Sequence, residues 1–294
     1  MVNGSIITNN GKKIIINRAY KTTPDYLEPS TFKIGILNGT PNVADTDLDV
    51  PVAISGTEAV DACEAITGWV DSADMTITTN AVTFKEGSNS LSLAKDAGSS
   101  VNFSTAKTTT SRDFTSKTLF VWLYITAVAD LVATGTDCVT IRFGSAAGDY
   151  YQKGWDISVL TTGWNLLYFT SATADSTTGA PALGAMDYSF IQLTTDLAAD
   201  TIAADRIFMD DWKIASADDF IKTYVSGYPT VDETNFEIEI RGQLLSTEGN
   251  GYDINGFALF NADGTPLMHS EDTFTAESKS STDQFTFIVK DRLI

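Results

Sequence analysis

"RIFMDDWKI", residues 206–214, sets two adjacent carboxylates, Asp210 and Asp211, between an apolar run and a large aromatic. Side chains alternate between the two faces of a β-strand. An unbroken strand would therefore place Phe208, Asp210, Trp212 and Ile214 on one face, and Asp211 with Lys213 on the other. Asp210 then shares a face with core residues, and a carboxylate buried there needs a partner. The two carboxylates are not expected to act as a glycosidase acid pair, because neighbouring strand residues point to opposite faces and cannot flank one glycosidic bond.

Working outward, the same texture recurs in "MTITTNAVTF" (75–84), "NSLSLA" (89–94), "TLFVWLYI" (118–125), "CVTIRFG" (138–144), "GWDISVL" (154–160), "WNLLYFT" (164–170) and "SFIQLTT" (189–195). Short alternating runs separated by Gly, Asp, Ser and Thr turns predict a β-sandwich or jelly roll. The stretch "TSATADSTTGAPALGA" (170–185) reads as a small-residue loop between such strands.

The flanks read differently. Thr8 is the expected N-cap of a helix over "NNGKKIIINRAYK", Pro24 and Pro29 interrupt regular structure, and "TFKIGIL" (31–37) alternates as a strand. Near the other end "NFEIEIRGQL" (235–244) alternates Phe236, Ile238 and Ile240 with Glu237, Glu239 and Arg241, and "FNADGTPL" (260–267) offers an Asp-Gly turn for a tight hairpin. The predicted fold is mainly β: a jelly-roll β-sandwich over 63–216, inserted into a small β-rich α+β domain made of 1–62 and 217–294.

Composition narrows the function classes. Of 294 residues, 38 are acidic and 19 basic, a net charge of −19 that repels a phosphate backbone. The insert carries 9 basic and 17 acidic residues and the flanks 10 and 21, so neither part is expected to touch nucleic acid. No apolar run approaches the roughly 20 residues of a membrane span, and the start lacks the apolar core of a signal peptide. Synthesis in the cytoplasm without membrane insertion is expected. Cys63 and Cys138 lack metal-ligand spacing and read as small buried apolar residues. His269, the one histidine, reads as a surface residue.

Both ends of the chain resemble phage tail-collar, tail-fibre and related virion structural proteins. The resemblance lies in "ITNNGKKIIINRAYKTT", "FKIGILNGTPNVADTDLDVPVAI" and the stretch from "SGYPTVDETNFEIEIRGQL" through "GFALFNADGTPL" to "KDRLI". It implies a virion-anchoring domain, other virion proteins as partners, and a homo-oligomer of trimer or hexamer-ring scale. The middle is similar to jelly-roll carbohydrate-binding modules: Glu64 and "TGW" (67–69), "EGSNSLSL" (86–93), "GWNLLYF" (163–169) and the closing Asp-Asp strand carry that likeness. Such a resemblance implies a structural calcium ion, with Glu64 and Asp210 as side-chain ligands and carbonyls around "EGSNS" completing the oxygen shell. A hydrogen-bonded strand aspartate is the other reading of Asp210.

A sugar platform needs aromatic rings that stack on pyranose faces. Trp122 and Tyr124 share one face of their run with Phe120, which is also the pattern of a core. "GDYYQKGW" (148–155) offers Tyr150, Tyr151 and Trp155, held by Gly and Asp turns at a strand edge, although they too can read as core or rim. The expected function is that of a non-enzymatic structural protein of a tailed phage virion, displaying an outward module for adhesion to a host-surface glycan. The alternative is a carbohydrate-binding or accessory module of a polysaccharide-degrading system.

Overall fold

The computed structural model describes residues 2–292 except Asn38, Gly39, Thr134 and Phe236. Phe236 and the last two residues of the "KDRLI" terminus thus lie outside the described residues. The chain divides into two compact units, Met1–Gly56 with Ala217–Ile294, and Thr57–Ser216. The second begins ahead of Cys63 because the strand Glu58–Asp61 pairs antiparallel with Ile207–Ser216. That strand is short and half acidic, so its texture does not announce it.

Thr57–Ser216 is a jelly-roll β-sandwich of two antiparallel sheets. One sheet runs in the order Gly163–Thr170, Lys117–Ile125, Ile207–Ser216, Ser90–Lys95, Met75–Asn80, with Glu58–Asp61 also on Ile207–Ser216. The other runs Ser176–Thr178, Asp149–Asp156, Asp137–Ala146, Met186–Thr194, Asn102–Arg112, Trp69–Asp71. Alternation builds the core between them: Leu119, Val121, Leu123 and Ile125 from the first sheet meet Val139, Ile141, Phe143, Ile191 and Leu193 from the second. All nine are fully buried. Removing so much apolar surface from water is the main stabilising term of the sandwich.

The runs named in the sequence contain strands, with three differences, the first being that "MTITTNAVTF" is a strand only over Met75–Asn80. "GWDISVL" is divided, its strand ending at Asp156 and Ile157–Val159 turning as a 3-10 helix capped by the Asp156 carboxylate on Ser158 N–H at 2.8 Å. The 170–185 loop carries a short edge strand, Ser176–Thr178. Asn102–Arg112, an eleven-residue strand, has no counterpart among the expected runs; Phe103 is its single large apolar residue, and Thr, Ser and Lys fill the rest.

The other unit packs a helix, Asn9–Tyr20, and a sheet in the order Val2–Ile7, Met268–Ser278, Asp253–Asn261, Pro29–Ile36, Lys222–Thr223. Thr8 caps the helix as expected, accepting from Gly11 N–H at 3.0 Å while its hydroxyl donates to the Met268 carbonyl at 2.6 Å. Gly11 is required there, since a Cβ would lie 2.0 Å from the His269 carbonyl oxygen. His269 is buried on the Met268–Ser278 strand instead of exposed. The Asp-Gly dipeptide sits in a wider connection than a tight hairpin, with the Asn261 side-chain oxygen accepting from Leu267 N–H at 2.7 Å. In Glu237–Leu244, Ile240 and Leu244 face inward while Ile238 is exposed, so the expected apolar face is only partly buried. Cys63 and Cys138 are both buried and unbridged, as their sequence context indicates.

Candidate functional site

The carboxylate pair sits in a break of the alternation. Asp210 pairs with Trp122 and Lys213 with Phe120, so Asp211 and Trp212 together stand opposite one residue, a β-bulge. Asp211 takes the left-handed backbone conformation, φ 47°, which Asp tolerates better than most residues. The bulge shifts the phase by one residue. Ile207, Met209, Trp212 and Ile214 face the sandwich core, so Trp212 and Ile214 are not on the face of Phe208 and Asp210 that an unbroken strand would give them.

Both aspartates are buried, Asp210 at 0% exposure and Asp211 at 5%. Asp210 Oδ2 accepts from the backbone N–H groups of Lys85 and Glu86, at 2.6 and 3.0 Å. Glu64 holds the same loop from its other end, accepting from Ser88 N–H at 2.8 Å, Ser88 hydroxyl at 2.7 Å and Asn89 Nδ2 at 3.0 Å. The Ser88 donors keep the Glu64 carboxyl below its ordinary range. Lys213 Nζ lies 2.5 Å from both Asp211 Oδ2 and Glu86 Oε2. Burial pushes the Asp210 carboxyl up to about 6 against the pull of the two loop amides. Burial, and next the charge of Glu86, push Asp211 upward too.

Three carboxylates, Glu86, Asp210 and Asp211, thus stand against one ammonium in a dry place. Asp210 Oδ1 and Glu86 Oε1 are buried with no hydrogen-bond partner among the described residues. Those two acceptors and the charge deficit suit a hard divalent cation. Of the two expected ligands, only Asp210 keeps a carboxylate oxygen without a hydrogen-bond partner among the described residues. Glu64 has both oxygens turned to the loop, and no group of three His, Cys, Asp or Glu side chains is poised for a metal among the described residues.

The second sheet carries the other site. On Asp149–Asp156, Tyr151 and Trp155 pack against the core, Trp155 lying 6.4 Å from Phe169. Both thus turn to the core side of the sheet, partly buried, and away from the outer face where a sugar platform was expected, because residues two and four places apart share a face. Tyr150 and Gln152 take the outer face. Register sets Arg142 between Gln152 and Phe190, and Gly144 between Tyr150 and Tyr188.

These six residues form one surface. The Arg142 guanidinium lies 4.7 Å from the Tyr150 ring centre and 4.3 Å from that of Phe190, and its Nε–H donates to Gln152 Oε1 at 2.8 Å. Tyr188 and Phe190 stack at 6.4 Å with 21° between their planes. Gly144 lets the neighbouring strand approach closely between the two tyrosines; a Cβ there would lie 2.3 Å from the Asp149 carbonyl oxygen and 2.7 Å from Tyr150 Cβ. Burial raises the Tyr188 phenol above its ordinary value, with the Arg142 charge opposing. Phe190 is buried, so the accessible part of this face is the two half-buried tyrosine rings with the Arg142 and Gln152 polar groups, which can stack on a ring and bond its hydroxyls. Arg142, Tyr188 and Phe190 were not singled out by sequence. Their signal was present, as polar or aromatic residues at the outward positions of "CVTIRFG" and "DYSFIQL".

Trp122 and Tyr124 lie on the outer face of the first sheet, opposite the core-facing Val121 and Leu123. Trp122 and Trp164 meet edge to face at 6.3 Å, and Tyr124 and Trp164 at 5.3 Å.

No family model and no curated protein matches the sequence. Among solved structures the chain is similar to carbohydrate-binding modules of jelly-roll fold. A family 11 module from Clostridium thermocellum, in complex with a β-1,3-1,4-mixed-linked tetrasaccharide, aligns at 10% identity and TM-score 0.39 over 55% of this chain and 96% of its own. A family 30 module aligns at 11% identity and TM-score 0.39 over 55% and 99%. An exo-β-agarase aligns at 10% identity and TM-score 0.40 over 56% of this chain and 25% of its own. None of these three is a tail-collar or tail-fibre protein, and at such identities no residue of theirs is carried over.

Proposed function

We propose that residues 57–216 form a non-catalytic glycan-binding module whose site is the outer face around Arg142, Tyr150, Gln152, Tyr188 and Phe190. The observation that carries this reading is the Arg142 guanidinium held against the Tyr150 and Phe190 rings, with its Nε–H on Gln152, on the outer face of the sheet. An arginine already immobilised gives up little conformational freedom when a ligand binds. The names of the solved structures with a similar fold agree with the same class of ligand. Screening the full chain against immobilised plant, algal and bacterial polysaccharides tests it. Binding should appear, and Tyr188→Ala should weaken it by about 2 kcal/mol, roughly thirtyfold in Kd, as for an anchor residue of an interface. Binding to no polysaccharide, or binding indifferent to Tyr188, overturns the reading.

The setting is a finer part of the proposal: a virion of a tailed phage, with the 1–56 and 217–294 unit as anchor and oligomeriser. It rests on the resemblance of the two ends and on how the chain crosses between units. Ile54 N–H donates to the Asp219 carbonyl at 2.7 Å, so the outgoing and returning segments lie side by side within the anchor. Antibody to residues 57–216 should decorate phage tails in symmetric sets. Absence of label from purified particles refutes this setting and leaves the glycan reading in place.

A further inference from the structure

Resting on the glycan reading of this face, we infer that its ligand is an acidic glycan bearing hexuronate residues, with Arg142 as the carboxylate receptor. The first ground is charge pairing. In Thr57–Ser216, Lys107, Arg112, Lys117, Lys153, Arg206 and Lys213 each lie within ion-pair distance of a carboxylate. Arg142 has no such partner among the described residues, although acidic side chains are twice as numerous as basic ones in the chain. Lys95 is not ion-paired among the described residues either, but its ammonium donates to the Ala198 and Asp200 carbonyls at 2.8 Å each, and Lys85 lies 4.8 Å from the Trp122 ring centre.

The second ground is what surrounds it. Its neighbours across the sheet are Gln152 and Phe190, its diagonal neighbours include Tyr150 and Tyr188, and Thr140 and Gly144 flank it along the strand. None carries a charge. Of the carboxylates at adjacent strand ends, Asp149 accepts from Ala180 N–H at 2.8 Å. Asp137 lies over Gly154, which pairs with Thr140 two residues along the strand from Arg142, and Asp137 makes no ion pair with Arg142.

The third ground is orientation. Gln152 takes the Nε–H, and two rings fix the guanidinium plane, while the terminal Nη1 and Nη2 groups have no hydrogen-bond partner among the described residues. A guanidinium presents parallel N–H donors that match the two oxygens of a planar carboxylate, and such charge-assisted pairs are about twice as strong as neutral ones. A neutral sugar offers hydroxyls to the same donors but not the charge. The flanking tyrosines at Gly144 then stack the ring that carries the carboxylate.

The test uses the full chain in calorimetric titration with trimers to hexamers of galacturonate, mannuronate and guluronate. The same galacturonate oligomers as methyl esters, neutral cello-, xylo- and galacto-oligosaccharides, and a sulfated carrageenan oligomer serve for comparison. The expected result is binding of at least one hexuronate series, weakened roughly tenfold to a hundredfold by esterification or by Arg142→Gln. Its affinity should also fall as salt rises from about 20 to 200 mM. Circular dichroism checks that Arg142→Gln is folded, and the ester comparison is independent of any variant. Equal affinity for acid and ester, tighter binding of a neutral series, or tighter binding of the sulfated oligomer overturns the inference while leaving a glycan-binding face. Binding to none of the probes, neutral series included, overturns the inference together with the reading it rests on.

Discussion

Neutralising Asp210 is the sharpest perturbation the structure offers. Its carboxyl is raised from the ordinary 3.8 to about 6 by burial, so the folded state holds its proton more tightly than the unfolded chain does. A raised carboxyl adds stability that is fully present below the unfolded pKa and is lost as pH climbs through the folded one. The two-unit difference is worth about 3 kcal/mol in all, of which about 1.4 kcal/mol disappears between pH 5 and pH 8. Asp211 shifts in the same direction and steepens the loss. Little else in the sandwich titrates in that window. The one histidine belongs to the other unit, burial lifts Cys138 to about 12 and raises Cys63 strongly, and Glu64 and Asp156 ionise below their ordinary values.

All five tryptophans lie in Thr57–Ser216, so their fluorescence follows this unit alone during urea unfolding of the whole chain. In calcium-free buffer its stability should fall from pH 5 to pH 8. Asp210→Asn, which keeps an acceptor for the Lys85 and Glu86 amides, should be more stable than the parent at pH 8 and show a flatter profile. A stability that is constant or rises over pH 5–8, or a slope unchanged in Asp210→Asn, would refute the reasoning.

Other perturbations follow from the same geometry. Adding about 1 mM calcium at pH 8 should raise the tryptophan-detected urea midpoint and flatten its pH profile, with no effect on Asp210→Asn; a ligand at a hundredfold its Kd contributes about 2.7 kcal/mol. Equal midpoints in calcium and in chelator would leave Asp210 a hydrogen-bonded strand residue without metal. Tyr151→Ala and Trp155→Ala should each lower stability, by less than the roughly 3–5 kcal/mol of a fully buried aromatic truncation because both rings are partly buried. Tyr150→Ala should weaken glycan binding with a midpoint close to the parent's, and the reverse pattern would invert the two faces of that strand. Gly11→Ala, which in an exposed helix interior would stabilise by about 1 kcal/mol, should instead lower the melting temperature of the helix-bearing unit, since its Cβ meets the His269 carbonyl. An increase in melting temperature, read by far-ultraviolet circular dichroism, would contradict that packing.

What the sequence made legible is the part that rests on local alternation. "TLFVWLYI", "CVTIRFG" and "WNLLYFT" carry enough apolar residues at every second place to be strands in any context, and together they imply a sandwich. Asn102–Arg112 was illegible because a strand facing solvent on one side, with Thr105 and Lys107 at inward places, needs its neighbours to become one. The reading of "RIFMDDWKI" was right in type and wrong in phase. One residue in the left-handed conformation turned Trp212 and Ile214 to the core face and left Phe208 and Asp210 on the other, and no local rule marks which of two aspartates will take that conformation.

The binding face was hidden for a related reason. Its members come from three strands, and a site of this kind exists only once register is known: Arg142 is an isolated polar residue in its own run until pairing sets Gln152 on one side and Phe190 on the other. The same pairing divides the aromatics of "GDYYQKGW": Tyr151 and Trp155 turn to the core and Tyr150 to the outer face. A run of aromatics in a strand divides between core and surface by parity alone, and Phe143, facing the core from the neighbouring strand directly opposite Tyr151, fixes the parity. Tyr150, one residue away, must then face outward and meet whatever Arg142 holds.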